Sequence, residues 1–293
     1  MNTGAVLGLL TALLWAIAVI FFKKSGERVH AIALNLFKDV LAFVLFIPTA
    51  LIVGQPLIVD ASGKDWIMLA VSGVMGICIA DTLFFYSLQL LGAGVSSIIN
   101  CLYSPAVIFF SMWILDEKLT FIQAAGVGSI VLAVALATGS KQAEELSARR
   151  IALGLLAGIG AVTTTAVGIV LMKPVLEHSS VIWVSEVRLL FGIVALLLLL
   201  LIHPGRKSIL ASLLIRDGQR FTIWGSFFGA YLALLPWAAG FKFGQASTTS
   251  ALQQTSYLLV FIMAIIFLKE KLSYWKAGGI LLGMVGVYLV TLG

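Results

Sequence analysis

The sequence predicts an all-α polytopic membrane protein, with ten transmembrane helices arranged as two inverted five-helix repeats. Composition is the first observation behind this. The chain of 293 residues is 61% hydrophobic and only 11% charged, with a mean hydropathy of +1.10, and a water-soluble domain of that length needs far more charged surface. The second is spacing: apolar stretches of about 20 residues recur along the whole chain, each long enough to cross a roughly 30 Å hydrocarbon core. The third is an internal repeat. Glu117-Lys118-Leu119 and Glu270-Lys271-Leu272 stand 153 positions apart (270 − 117), and at that offset Ala93 falls on Ala246, Ser97 on Ser250, Asn100 on Gln253 and Gly126 on Gly279. Five spans per half is an odd number, so the second copy lies upside down in the bilayer. Many secondary transporters build two gates around one central site in this way.

In chain order, the spans fall near 3–22, 31–53, 66–88, 93–115, 120–138, 151–172, 181–202, 221–241, 246–267 and 273–292. The first follows only Met1-Asn2, lacks a basic flank and exceeds a signal-peptide core, so it is expected to remain as a membrane helix. Residues 3–139 form the first repeat, the polar stretch 140–150 the linker, and 151–292 the second repeat. Other connections are short, which makes neighbouring helices antiparallel. The longest polar interruption, 203–220, carries Arg206, Lys207, Arg216 and Arg220 around Ile209, Leu210, Leu213 and Leu214. It suits either a short amphipathic helix at the membrane interface or a flexible loop. Pro105 and Pro236 predict kinks in the fourth and eighth spans. Gly154/Gly158 and Gly279/Gly283 are spaced for close helix contact, inside the bundle or between protomers, so monomer and homodimer both stay open. Cys78 and Cys101 lie within spans as small apolar fillers, and no disulfide is expected.

The net charge of +6 comes from basic residues at span ends. No basic-aromatic patch is present to hold nucleic acid. The connections after the odd-numbered spans gather most of these residues, among them Lys23, Lys24, Arg28, Arg149, Arg150, Arg206 and Lys207, whereas the other side holds Lys64, Lys118, Lys173 and Lys242. The excess of Lys and Arg on cytoplasmic loops then places both termini outside the cytoplasm.

Ionisable groups within spans are functional candidates, because each costs about 2.5–3.5 kcal/mol at the bilayer centre on insertion scales. Five qualify: Lys38, Asp39, Asp81, Glu186 and Arg188. Lys38 and Arg188 occupy equivalent places in the two halves. They either hold substrate anions and gating carboxylates, or snorkel to opposite faces as anchors. Asp81 sits mid-span, where an isolated carboxyl can load and release a proton; the alternative is a hydrogen-bonded Asp that locks its span to a neighbour, through Lys38 for example. The starts of the fourth and ninth spans are polar on one face, with Asn100, Tyr103 and Ser104 in one and Gln253, Gln254 and Tyr257 in the other. Their i, i+3 and i, i+4 spacing puts these side chains together, either as a wall that hydrogen-bonds a small polar solute or as interhelical glue. Trp15, Tyr86, Tyr231 and Trp237 are candidate aromatic walls.

Ten spans, two five-span copies, Ala80–Leu88 running into Gly92–Leu119, and Gly244–Leu272 with its Glu-Lys-Leu junction together resemble the drug/metabolite transporter superfamily. Within it they are most similar to the EamA branch of bacterial permeases. The resemblance covers residues 3–292. It implies a central cavity between spans 1–4 and 6–9, with the fifth span of each half packed outside. It would place Asn100, Tyr103, Gln253 and Tyr257 on that cavity, and it matches Lys38 and Arg188 to basic residues of spans 2 and 7.

The function expected is secondary transport in the cell (inner or plasma) membrane: export of small metabolites such as amino acids by alternating access, with proton coupling through Asp81 as an addition. A lipid or lipid-linked sugar translocator is the alternative, and it would need a cavity open sideways to lipid. The partners expected are a small-molecule substrate and membrane lipid, without a cofactor or metal. His30, His178 and His203 stand singly at span ends, no His-Glu-x-x-His or nucleophile elbow occurs, and no Gly-x-x-x-x-Gly-Lys-Ser/Thr cradle is present. An enzyme and a primary pump are therefore disfavoured, and rings of like charge that would mark an ion channel are missing. If the site is placed correctly, Asn100→Cys and Gln253→Cys react with a water-borne thiol reagent. An accessibility map that excludes both positions would overturn the assignment.

Overall fold

The computed structural model describes residues 3–56, 59–103, 105–107, 109–110, 120–138, 147–243 and 246–292, which are helical apart from short connections, with no strand among the described residues. The elements are α1 (Thr3–Ser25), α2 (Ala31–Val53), α3 (Gly63–Leu91), α4 (Ala93–Asn100), α5 (Phe121–Thr138), α6 (Ala148–His178), α7 (Val181–Ile202), α8 (Arg216–Phe243), α9 (Ala246–Leu268) and α10 (Tyr274–Leu292). Among the described residues six, namely α1, α2, α3, α6, α7 and α8, contain segments long and apolar enough to cross a membrane; Phe121–Leu136 and Gln253–Leu268 are shorter apolar helices. The first junction, Glu117-Lys118-Leu119, lies outside the described residues, as do Ser104 and most of the 140–150 linker.

Local chemistry sets the helix ends. Ser62 and Asp65 form a reciprocal capping box at the start of α3, and the hydroxyls of Ser147 and Ser180 accept from Arg150 N–H and Trp183 N–H at the starts of α6 and α7. The His30 ring caps α2 by accepting from Ile32 N–H, and Gly54, at φ +72°, ends it in a left-handed turn. The interruption at 203–220 holds a short helix, the first of the two expectations, rather than a loop throughout. A short helix, Arg206–Ala211, passes into a 3₁₀ turn at Ser212–Leu214, and Arg216 and Arg220 already belong to α8.

Two helices carry the same irregularity. The hydrogen-bond ladder slips to the wider π pattern at Val74–Ile79 in α3 and again at Phe227–Leu232 in α8. These turns stand 153 residues apart (227 − 74), the same offset as the Glu-Lys-Leu junctions. In α8 the turn ends at Leu232, whose carbonyl Pro236, having no N–H, cannot donate to and whose oxygen its ring crowds. In α3 no proline is present, and the turn spans Gly76 instead. The fourth segment breaks as Pro105 predicts: α4 ends at Asn100, with a turn at Cys101–Leu102 one helical turn ahead of the proline.

Lipid tails are as apolar as leucine, so close packing rather than hydrophobic transfer holds such helices together. α5 lies along α10, α1 against α8 and α9, α6 against α3, and α2 against α7. Phe22, Phe85 and Leu88 fill the space between α1 and α3, while Trp183, Ile169 and Met172 fill that between α6 and α7. Large apolar side chains such as Ile52, Val131, Leu198 and Ile266 face outward, as a lipid-facing surface requires. Gly154 packs on Leu91, Gly158 on Ser87 and Ile99, and Gly283 on Cys101, so these glycines serve contacts within the bundle. The tightest approach is Gly73, where an added Cβ would meet the Arg188 carbonyl oxygen at 2.3 Å, whereas Gly128 has nothing within 4 Å. Gly73→Ala should therefore destabilise the protein by about 1–3 kcal/mol through overpacking, and Gly128→Ala should leave it unchanged, as read by thermal unfolding in detergent.

Candidate functional site

The polar residues of the spans converge on one cavity of about 180 Å³, lined from α1, α2, α3, α4, α6, α7, α8 and α9 and by Tyr103. Trp15, Lys38, Asp81, Asn100, Tyr103, Arg188, Trp237, Gln253, Gln254 and Tyr257 all border it. Volume and mixed lining suit a small organic solute. Tyr86 and Glu186 stand apart. The Tyr86 hydroxyl lies 3.3 Å from His30 Nε2 at the α1–α2 turn, and burial, with the His203 ring beside it, holds the His30 imidazole below its ordinary pKa. Glu186 is buried on α7 outside the cavity wall. Tyr231 is likewise elsewhere, bonded to Thr49 at 2.7 Å and tilted against the Phe46 ring.

The ionisable groups do not behave as the separate residues their spacing suggested. Lys38 is 4% exposed, so it does not snorkel, and its ammonium is shared between two carboxylates: it is hydrogen-bonded to Asp39 and lies 2.8 Å from Asp81 Oδ2. Asp81 is thus paired rather than isolated, and with 26% of its side chain exposed it is the open edge of the cluster, whereas Asp39 is sealed at 1%. The π-turn of α3 helps to build this. Asn35, one turn before Lys38, donates to the Ile77 carbonyl at 2.8 Å and to Thr82 Oγ1 at 3.0 Å, holding α2 against the irregular turn just ahead of Asp81.

Arg188, equally buried, is held differently. Nε donates to Ser72 Oγ at 2.9 Å, Nη1 points at Met172 Sδ at 3.0 Å, and the guanidinium sits 5.5 Å from the Trp237 ring centroid. Ser72 is fixed in turn by donating to the Gly168 carbonyl at 2.6 Å. Gln253 donates to the Trp237 carbonyl at 3.3 Å, and its Oε1 has no hydrogen-bond partner among the described residues. Sequence reasoning did not pick out Thr11, Thr165, Phe84 and Ser256, which also line the cavity. Ser256 was within reach, since it continues the polar run of Gln253 and Gln254; a lone threonine or phenylalanine in an apolar span carries no such signal.

At one end the cavity narrows past Phe84 and Asn100 to a cleft, bordered by Ala93, Ser96 and Ser97, that is too tight for water. There Glu270, of the second Glu-Lys-Leu junction, accepts from the N–H groups of Ala93 at 2.8 Å and Gly94 at 3.2 Å, so its carboxylate sits on the positive end of α4. Lys276 lies 3.8 Å from that carboxylate, and Lys23 donates to the Leu88 carbonyl. Gly92, at φ +87° and against Glu270, makes the sharp corner between α3 and α4. Of the buried charges, Lys38 carries the most. Lys38→Gln leaves the sealed Asp39 carboxylate without its cation, beside that of Asp81, and should cost about 3–5 kcal/mol. Asp81→Asn should cost less, because Asp39 still pairs the ammonium, and thermal unfolding of both variants in detergent checks the order.

Among known proteins, the family model of the EamA-like transporters matches residues 2–139 and again 152–292. A protein of Archaeoglobus fulgidus, named only as an uncharacterized transporter, is 24% identical over 289 residues, spanning 98% of this chain and 97% of its own. A solved crystal structure, at 18% identity, superposes with a TM-score of 0.71 over 99% of this chain and 96% of the other, a likeness that bears on the fold alone. These matches point to a transporter rather than an enzyme. With the family model covering nearly its whole length, the chain belongs to the EamA-like transporter family of the drug/metabolite transporter superfamily, as a multi-pass membrane protein.

Proposed function

We propose that this protein is a secondary carrier of the cell membrane that exports a small polar or zwitterionic metabolite, such as an amino acid, by alternating access around the central cavity. The observation that carries this reading is the convergence of Asn100, Tyr103, Gln253, Lys38, Asp81 and Arg188 from different helices on one cavity. An apolar bundle gains nothing from gathering that many polar groups at its centre unless something polar passes there. Ten crossings as two inverted five-helix repeats, residues 3–139 and 151–292, fit the shared 153-residue offset of the junctions and of the π-turns. The tight cleft and the Glu270 contacts at the start of α4 suit a carrier closed on one side. In this cycle the Lys38 ammonium, held by Asp39, can retain Asp81 or release it when a proton arrives, which would link the proton gradient to the solute.

Counterflow in proteoliposomes holding a mixed pool of amino acids and small metabolites tests the reading. Particular solutes should exchange with wild type and fail to exchange with the Asn100→Ala/Gln253→Ala double variant. Asp81→Asn should retain exchange and lose pH-driven accumulation. If folded, correctly inserted protein exchanges no solute of the pool, the carrier reading falls and a lipid-linked substrate takes its place.

A further inference from the structure

The two cations of the cavity look equivalent by position, one in the second helix of each half, yet their surroundings divide them. Lys38 is answered from within the protein, with Asp39 and Asp81 both at its ammonium. Arg188 is not. It is 4% exposed, it borders the cavity, and no carboxylate of a described residue lies within ion-pair distance of it. Its described contact partners are a serine hydroxyl, a thioether and an aromatic face, all neutral, while the carboxylates of Asp81 and Asp39 act on it only from beyond ion-pair distance. A guanidinium has five N–H donors, and only two of them find acceptors among the described residues. Nη2 finds none, and it faces Gly76, where a Cβ would stand 3.0 Å from it.

A buried guanidinium without a counter-ion in contact is costly, and this one is held in place rather than left to wander. Ser72, itself anchored on Gly168, fixes the Nε edge, and Trp237 fixes the plane. The donors left over belong to the planar fork that pairs best with the two oxygens of a carboxylate. We infer that Arg188 is the carboxylate subsite of the cavity, so that the transported solute is a carboxylic acid anion whose oxygens supply the contact partner that no described residue provides. This rests on the reading of the cavity as a solute site and narrows it: a neutral sugar, an amine or an amide of the same size lacks the group that Arg188 awaits. Lys38 takes no part, since its charge is already met.

Purified protein in detergent is titrated with L-leucine, with L-leucinamide and with 4-methylpentanoate, which is leucine without its amine. The readout is tryptophan fluorescence, compared between wild type and Trp237→Phe to isolate the ring beside Arg188. Leucine should bind about 10- to 100-fold more tightly than its amide, the range of one charge-assisted hydrogen bond, and 4-methylpentanoate should share that advantage. Arg188→Gln should erase the preference, and Arg188→Lys should retain part of it. Because Arg188→Gln also removes a packed side chain, Gly76→Ala is the second variant: it leaves Arg188, Ser72 and Trp237 in place, crowds Nη2, and should weaken the acids more than the amide. Equal binding of acid and amide by wild type, a preference that survives both Arg188→Gln and Gly76→Ala, or no response of wild type to either acid overturns the subsite. The carrier reading fails separately, in proteoliposomes. Exchange of amide and acid alike keeps the carrier and removes the subsite, whereas acid-selective binding without exchange keeps the subsite and removes the carrier.

Discussion

A lysine ammonium kept out of water needs its counter-charges within reach, and that constraint organises the centre of this bundle. Lys38 is met by Asp39 on its own helix and by Asp81 on α3, so α2 and α3 cannot separate without exposing charge to an apolar interior. Asn35 adds a second tie to the same stretch of α3, and Ser72, two residues ahead of the π-turn, reaches Gly168 on α6 and receives Arg188 from α7. Four helices are thereby registered against one another through polar groups that each have few alternatives. The glycines follow from this register. Gly73 and Gly168 let α3, α6 and α7 come close enough for those bonds to form, and a methyl group at Gly73 would strike the backbone of α7.

The π-turns belong to the same arrangement. One extra residue in a helix turn rotates everything beyond it by about 100° relative to a regular helix. In α3 this sets the direction of Asp81 relative to Ser72 and Gly73, so that one part of the helix can pack on α6 and α7 while the next meets Lys38 on α2. In α8 the corresponding turn lies between Gly225, packed on Phe22 of α1, and Trp237, stacked beside Arg188.

Much of the helical layout was legible because lipid imposes it. A long apolar run has few ways to satisfy its backbone in hydrocarbon, and the observed elements begin and end within a few residues of the expected spans, save for longer α6 and α8 and for α4, which breaks at Asn100 where a span to 115 was expected. The polar stripes of Asn100–Tyr103 and Gln253–Tyr257 were legible for a related reason, since amides are rare in spans unless they meet something. What could not be read was pairing. Spacing puts Lys38 and Arg188 at matching depth, but only the fold shows that two carboxylates surround one and none stands beside the other. The outward-or-inward sense of a single aromatic is equally silent in a chain where apolar residues face both lipid and core. Trp15 and Trp237 border the cavity, and Tyr86 and Tyr231 do not, with no local pattern to separate them. The role of Glu270 was hidden in plain view: the junction was visible as a repeat marker, whereas its bond to the start of α4 joins residues 177 positions apart.

The four charged walls of the cavity have an electrical consequence. Lys38 and Arg188 contribute two positive charges, Asp39 and Asp81 two negative ones, and in those forms the walls sum to zero. Those four groups together carry no net charge across the membrane field as the bundle rocks, where each unbalanced charge would otherwise count for about 2.3 kcal/mol per 100 mV. A zwitterion carried inside adds none, so voltage would neither drive nor hinder its passage; a bare monoanion, or a proton borne on Asp81, would feel the field in full.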